Sequence, residues 1–482
     1  MHSFIGLRLS IMMFLQFFIW GAWYVTAPGF LGTIGFVDID FGDTYSVGPI
    51  AAMISPFFVG MIADRFFATE RVLGVMHLAG GAIMLAATVL MTGEHSAKVL
   101  NLIFFAHMFC YMPTLALTNS LAMQNMTDPE KQFPMIRVFG TIGWIIAGFA
   151  LDGFQIIFKH FEIETWKWGA SINMFYLAGG AAIVLGLFSF TLPHTPPPQA
   201  GKKVSVRELL GLDAFVLLKQ KPFLIFMASS LLICIPLAFY YQMAARSAEA
   251  TGIKDIATRM SFGQVSEIVF MVLMPFFFRR LGVKWMLLVG MLAWVVRYFL
   301  FAIGTPDEIS SMVMVGIILH GICYDFFFVT GQIYTDKLAP ESIRSQAQGM
   351  LVLFTLGFGM LIGAQIAGRV EGKYTPEVSS NLNKEVKAIG KDIADLNQKI
   401  EAATGAENSA IKDEIKELKT EKKTKRLAAL KAMDWRSIWM IPAIGAALIM
   451  ILFGLLFKDE EPQDAVVQSQ QLAGDDAPPG DS

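Results

Sequence analysis

The run Tyr45-Ser-Val-Gly-Pro49-Ile-Ala-Ala-Met-Ile-Ser-Pro56-Phe-Phe-Val-Gly60-Met-Ile-Ala-Asp64-Arg65 decides how the rest of the chain is read. Residues 45–63 carry no charge, and then an acid and a base arrive together. A helix needs about 20 apolar residues to cross roughly 30 Å of hydrocarbon, and this run meets that measure. Applied along the chain, the same ruler predicts twelve spans: 9–31, 45–63, 72–92, 99–121, 134–156, 170–190, 222–244, 258–278, 284–303, 310–334, 343–367 and 436–457. The first is too long for the apolar core of a signal peptide and reads as a retained helix.

Composition agrees. Of 482 residues 55% are hydrophobic and only 16% charged, against about 25% charged in soluble domains; mean hydropathy is +0.54. With 38 Lys and Arg against 40 Asp and Glu, the net charge is −2. That leaves no basic footprint for nucleic acid, and the apolar excess excludes a soluble enzyme. The charge is also concentrated, since residues 371–434 hold 13 Lys or Arg and 12 Asp or Glu. Cys110, Cys234 and Cys323 lie in apolar runs and form no readable disulfide framework. The expected class is an all-α membrane protein whose solvent is the lipid bilayer.

The basic residues between spans predict orientation. With the N-terminus cytoplasmic, fifteen Lys or Arg fall inside and eight outside, the segment 371–434 set apart. Both termini are therefore expected in the cytoplasm, in an inner, multi-pass location. Residues 1–192 make one six-helix bundle, and 222–370 with 435–457 make a second. Between them 193–221, rich in Pro and Lys, reads as a cytoplasmic linker. In 371–434 the residues Val386, Ile389, Ile393, Leu396 and Ile400 repeat at 3-4-3-4 spacing, a heptad stripe on a charged helix. Ile411, Ile415 and Leu418 begin a second helix, so an external helical hairpin is expected. Residues 458–482 read as a disordered acidic cytoplasmic tail.

The two halves echo each other, as duplicated transporter bundles do. Pro56-Phe57-Phe58 is matched by Pro275-Phe276-Phe277, and Pro129-Glu130 with Ile136-Arg137 by Pro340-Glu341 with Ile343-Arg344. Gly60-Met-Ile-Ala-Asp64-Arg65 followed by Arg71 resembles the major facilitator signature between the second and third helices. There the glycine permits close helix approach and the Asp pairs with a basic group at the cytoplasmic gate. The signature's second glycine and its Arg-Lys pair are missing. The expected fold is the major facilitator fold, with two pseudo-symmetric six-helix bundles and Gly60, Asp64, Arg65 and Arg71 as the gating loop.

Ionisable groups within spans are costly, so they normally face a cavity and carry function. Gln264 and Glu267 stand three residues apart on one face of the eighth span. A carboxyl in a low-dielectric cavity can exchange a proton near neutral pH. The competing reading for Glu267 is a structural ion pair with an arginine. Asp325 lies within His320-Gly-Ile-Cys-Tyr324-Asp325-Phe-Phe-Phe328; among aromatics it must be neutral, paired or wet, which suits proton coupling or, otherwise, a helix clamp. His320 and Tyr324 sit at i and i+4 and can share that cavity. Arg137, Thr141 and Trp144 share a face of the fifth span, although Arg137 could equally snorkel to the surface. Gln16, Trp20 and Trp23 rank lower, and Arg297 is expected to snorkel. No metal spacing, phosphate loop or nucleophile–base pair is present, so the chain reads as a non-enzyme without cofactor that draws work from a proton gradient.

As a set, Phe14-Leu-Gln-Phe-Phe-Ile-Trp20-Gly-Ala-Trp23, Met112-Pro-Thr-Leu, Phe133-Pro-Met-Ile-Arg137-Val-Phe-Gly140-Thr141-Ile-Gly, Gly211-Leu-Asp-Ala-Phe, Gln264-Val-Ser-Glu267, Tyr324-Asp325-Phe-Phe and Ala347-Gln-Gly resemble the bacterial nucleoside:proton symporter family. The resemblance spans both halves but not 371–434 or the tail. It implies nucleoside import with protons by alternating access. It also implies that Arg137, Thr141 and Trp144 contact the nucleoside from one half and Gln264 and Glu267 from the other. Tyr324 would stack nearby, and Asp325, with Glu267, would be tied to protonation.

The departures concern recognition. Where well-studied members carry amides in the seventh helix this chain has Pro236 and Phe239; His320 replaces a tyrosine, and Trp144 the smaller Phe. Lost amides remove hydrogen bonds to ribose or base. The leading expectation is a proton-coupled nucleoside importer working as a monomer. The alternatives are a symporter of the same fold for a sugar or nucleobase derivative, or a receptor or scaffold acting through the hairpin.

Overall fold

The computed structural model describes residues 3–93, 96–161, 166–197, 212–340, 343–400 and 405–458. Within them the chain is helical throughout, with no strand. Among the described residues nine helices are long and apolar enough to cross a membrane, from Phe4–Gly21 to Trp435–Leu456. Asp38–Arg65 also has the length, its uncharged run 45–63 following three acids (Asp38, Asp40 and Asp43), and Asn173–Ser189 is apolar but short. These helices are apolar on nearly all sides because one face meets protein and the other lipid.

Helix breaks have local causes. Ile256–Gly304 runs 49 residues, but Gly282 has φ 66° and ψ −179° and turns the chain between two passages. Only glycine adopts that conformation freely. The fifth span, expected to reach 156, ends at Leu151, because Gly153 (φ 61°) and Phe154 (φ 53°) take left-handed backbone. The first span is interrupted after Gly21 by turns before the short helix Ala27–Leu31. Residues 60–65, expected in a loop, form the last turns of Asp38–Arg65. The side chains of Gly60, Asp64 and Arg65 lie outside the described residues; Arg71 is exposed at the start of Thr69–Met91. Two stretches, Tyr324–Val329 and Leu353–Gly359, are π-helical, a form that often marks functional positions.

Each half has its own core. Leu9, Met13, Trp23, Phe104 and Phe175 belong to the first, and Phe226, Met243, Trp294, Phe301 and Trp439 to the second. Small residues let the helices approach: a Cβ at Gly81 would stand 3.0 Å from the carbonyl oxygen of Gly179.

The hydrogen bonds and ion pairs joining the halves among the described residues lie at mid-depth or toward one end. Gln365 donates to Asp43 Oδ1 (3.1 Å) and Ser46 Oγ (2.9 Å), and the Thr258 amide donates to Asp152 Oδ2 (2.8 Å). Tyr24 and Tyr241 meet edge to face at 5.4 Å. This end carries the hairpin, formed by Glu377–Ile400 and Gly405–Lys431. Val386, Ile389 and Ile415 are buried between its helices, and Ser379 Oγ donates to the Ala429 carbonyl at 2.8 Å. The hairpin rests on both halves. Lys387 covers Gly35, while Arg426, almost fully buried, lies beside Gly32 and 3.7 Å from Glu249, and Lys431 pairs with Glu308 at 2.7 Å.

Of the expected linker, 198–211 lies outside the described residues, as does the tail beyond Lys458.

Candidate functional site

The polar residues at bilayer depth fall into two adjoining groups. The first spans the junction of the halves. On Pro129–Leu151, Arg137, Thr141 and Trp144 share a face, as their spacing requires. Thr141 Oγ1 donates to Glu267 Oε1 across the junction, a long contact of 3.5 Å. The Arg137 guanidinium lies over the Phe17 ring at 4.1 Å and acts electrostatically on both Glu267 and Tyr324. Its charge is thus turned inward rather than spent at the surface. Trp144 packs edge to face on Trp20 at 5.5 Å, and Gly21 leaves room for it: a Cβ there would stand 2.9 Å from Trp144 Cγ. Gln264 and Glu267 are both buried on the facing helix.

The second group lines a pocket in the second half, walled in part by Tyr241, Trp294, His320, Tyr324, Gln332 and Thr355. His320 stacks on Tyr240 (5.7 Å between centroids) and on Tyr324 (6.1 Å). Asp325, next in the chain after Tyr324, is fully buried in the π-helical stretch, and neither of its carboxyl oxygens has a hydrogen-bond partner among the described residues. A bare charge so placed would be very expensive, and a single proton removes most of that cost. Asp325 acts electrostatically on Tyr324 and is itself acted on by Glu267.

Of the residues singled out above, His320 and Tyr324 reach the cavity, while Arg137, Thr141, Trp144 and Glu267 gather at the junction beside it. Phe239 is buried in the second core and Pro236 is buried with its carbonyl accepting from the Tyr298 hydroxyl at 2.8 Å, so neither lines the cavity. Gln16 belongs elsewhere: its side chain bonds Thr114 Oγ1 (2.8 Å) and His77 Nε2 (2.8 Å) inside the first half.

Two features escaped the sequence. Arg297 does not snorkel; it is fully buried, its guanidinium 3.4 Å above the Tyr240 ring and 3.3 Å from His320 Nδ1. Arg246, beyond the expected end of the span 222–244, lies within Lys221–Ala250 and forms a buried two-pronged bridge to Glu371, at 2.6 and 2.7 Å, toward the hairpin end. The small neighbours Ala244, Ala245, Ser247 and Ala248 were the available signal that this helix continues, buried, past residue 244.

Comparison with known proteins decides the family. The profile described as nucleoside H+ symporter matches residues 3–386, well over half the chain and ending inside the first hairpin helix. The chain belongs to the nucleoside H+ symporter family. Within it, YegT of Escherichia coli (strain K12) is 42% identical over 363 residues, 75% of this chain and 83% of YegT. The nucleoside permease NupG of the same organism is 32% identical over 387 residues, 77% and 88% of the two chains. The crystal structure of the nucleoside transporter NupG superposes with a TM-score of 0.72 at 27% identity, covering 95% of this chain and 100% of that one. A bacterial homologue of the lysosomal transporter Spinster, 13% identical with a TM-score of 0.63, shares the fold alone. This nucleoside H+ symporter is therefore a major facilitator transporter that imports nucleosides with protons, and not an enzyme.

Proposed function

We propose that Glu267 and Asp325 carry the coupled proton, and that the nucleoside is held between the halves. Arg137, Thr141 and Trp144 act from one side, and Gln264, Glu267, His320 and Tyr324 from the other. The observation carrying this reading is the Thr141–Glu267 contact, because it joins the halves through a titratable group. When Glu267 takes a proton it becomes a hydrogen-bond donor as well as an acceptor, and its attraction to Arg137 falls. The strength of the cross-half contact then depends on the proton, which is what coupling to alternating access requires.

The nine apolar helices become twelve passages when Ile256–Gly304 counts as two and Asp38–Arg65 and Asn173–Ser189 are added. With the basic residues biased toward the termini, the hairpin end faces outward and both termini lie in the cytoplasm of the cell whose inner membrane holds the protein. The clustering of cross-half bonds near the hairpin end supports a state closed to the outside. Each chain works as a monomer with no cofactor, the proton gradient supplying the energy.

The test is uptake into proteoliposomes of labelled nucleosides, with and without an imposed pH gradient. Accumulation above equilibrium only with the gradient, lost in Glu267→Gln, supports the reading. Gradient-independent accumulation, or normal accumulation by that variant, overturns it.

A further inference from the structure

Arg297 is a fully buried cation with no carboxylate bridge among the described residues. Its nearest partners are aromatic. The guanidinium lies 3.4 Å above the Tyr240 ring, a cation–π distance, and Nη1 approaches His320 Nδ1 at 3.3 Å. An arginine has five N–H donors, no acceptor, and does not lose its proton in proteins. Any hydrogen bond it makes to an imidazole nitrogen therefore requires that nitrogen to be bare. His320 Nδ1 accepts, and the ring's one proton is left on Nε2.

The surroundings hold that arrangement. The guanidinium packs on the Tyr240 ring, and the imidazole stacks on both Tyr240 and Tyr324. Gly263 allows the ring to sit close, since a Cβ there would meet His320 Cβ at 3.0 Å. His320 forms part of the cavity wall. Its Nε2 has no protein partner among the described residues and is not among the sealed polar atoms, so it is open to the cavity.

We infer that Arg297 is a positioning residue that fixes His320 as an Nε2–H donor, and that the cavity thereby selects nucleosides presenting an unprotonated acceptor at this point, an oxo oxygen or bare ring nitrogen rather than an amino group. The cation behind the ring also strengthens the donor by polarising it. An amino group facing Nε2–H would set two donors against each other in a buried site, which is discriminated far more sharply than a missing methylene. The inference rests on the reading that His320 lines the substrate site, and its test separates the two.

The first arm needs no substrate. The full-length protein, labelled with ¹⁵N-histidine and reconstituted in lipid nanodiscs, is measured by NMR, with His320→Gln identifying the His320 signals by their loss. The expected spectrum shows Nε2 protonated and Nδ1 bare in the wild type and in Arg297→Lys, and a mixture of tautomers in Arg297→Met. A proton on Nδ1 of the wild type overturns the inference without any variant. The second arm compares uptake of nucleoside pairs differing by oxo and amino groups, inosine against adenosine and uridine against cytidine. A preference for the oxo member on the order of tenfold is expected, retained in Arg297→Lys and reduced to about twofold or less in Arg297→Met. An unchanged preference in Arg297→Met overturns the inference. Failure of the wild type to transport any of the four overturns the reading of the site instead, and the spectrum still decides the role of Arg297.

Discussion

Thr141 and Glu267 meet across the junction of the two halves, hydroxyl to carboxylate at 3.5 Å, with Arg137 acting on the same carboxylate. One acid is thus shared between a neutral donor and a cation, both from the opposite bundle. Replacing Glu267 by Gln keeps the shape and a hydrogen bond to Thr141 but removes the titratable group. Accumulation against a gradient is expected to be abolished, while exchange of nucleoside across the membrane at equal pH persists. Counterflow measured beside gradient-driven uptake separates the two. A variant that still concentrates substrate would remove Glu267 from the coupling step.

Asp325 makes a different demand. Its carboxyl oxygens have no described partner and the residue is fully buried, so a neutral isostere strands no partner group. Asp325→Asn is expected to keep or slightly raise the thermal transition while reducing gradient-driven accumulation to background. Loss of folding in this variant, read by size-exclusion profile and melting, would instead identify Asp325 as a structural clamp.

The apolar membrane helices and the two charged helices between 377 and 431 were legible because each rests on a local pattern. Apolar length marks a passage, and the 3-4-3-4 stripe through Val386 and Ile389 marks a helix that must bury one face. Arg297 and Arg246 were not legible, since the partners that make their burial tolerable come from distant segments: Tyr240 and His320 for one, Glu371 for the other. Near a predicted helix end, a lone arginine looks the same whether it snorkels or pairs. Gln264, Glu267 and Asp325 stood out for the opposite reason, as polar groups in mid-span have no surface to reach. The cavity wall, by contrast, depends on π-helical turns that no spacing rule announced.

Arg246 and Glu371 form a bridge with both side chains almost fully buried, supported by Gln242 Nε2 at 3.1 Å from Glu371 Oε2 and by Phe41 beneath the guanidinium at 4.2 Å. Removing one partner of such a pair strands the other charge, at a cost of about 3–5 kcal/mol. Glu371→Gln is therefore expected to lower the melting temperature sharply. The double variant Arg246→Met with Glu371→Leu should recover most of the loss, because a buried pair can be replaced by apolar groups of similar size. If the single variant melts like the wild type, the pair is not buried as described.

Gly368 and Gly42 let the halves touch near the hairpin. A Cβ at Gly368 would stand 3.0 Å from the Asp38 carbonyl oxygen and 3.2 Å from Gly42 Cα, both backbone atoms that cannot swing aside. Gly368→Val is expected to part the halves there, at a packing cost of about 1–3 kcal/mol. Spin labels at Val37 and Ile309, exposed on the two halves, in a background lacking Cys110, Cys234 and Cys323, should report a longer distance and a slower uptake rate. An unchanged distance distribution would show that this contact does not hold the end closed.

Asp152 gives the same closure a pH dependence. It lies just beyond the end of Pro129–Leu151 and accepts from the Thr258 amide of the other half at 2.8 Å. Burial, opposed by that hydrogen bond, pushes its carboxyl up to about 6, against about 3.9 for an exposed aspartate. A raised value means the closed form binds the proton more tightly than a form in which the end opens to water. The contribution to closure is thus fully present below about pH 4 and is lost as the pH rises through about 6. It is worth at most on the order of a hundredfold in the ratio of closed to open. Asp38 and Asp40 at the same end are also raised by burial, so they add in the same direction. Lowering the pH from 7 to 4 should therefore enlarge the short-distance population between the labels at Val37 and Ile309. Asp152→Asn keeps an acceptor for the Thr258 amide and should reduce the response without erasing it, leaving the share of Asp38 and Asp40. A wild-type distribution independent of pH, or one that opens on acidification, would reverse the assigned sign.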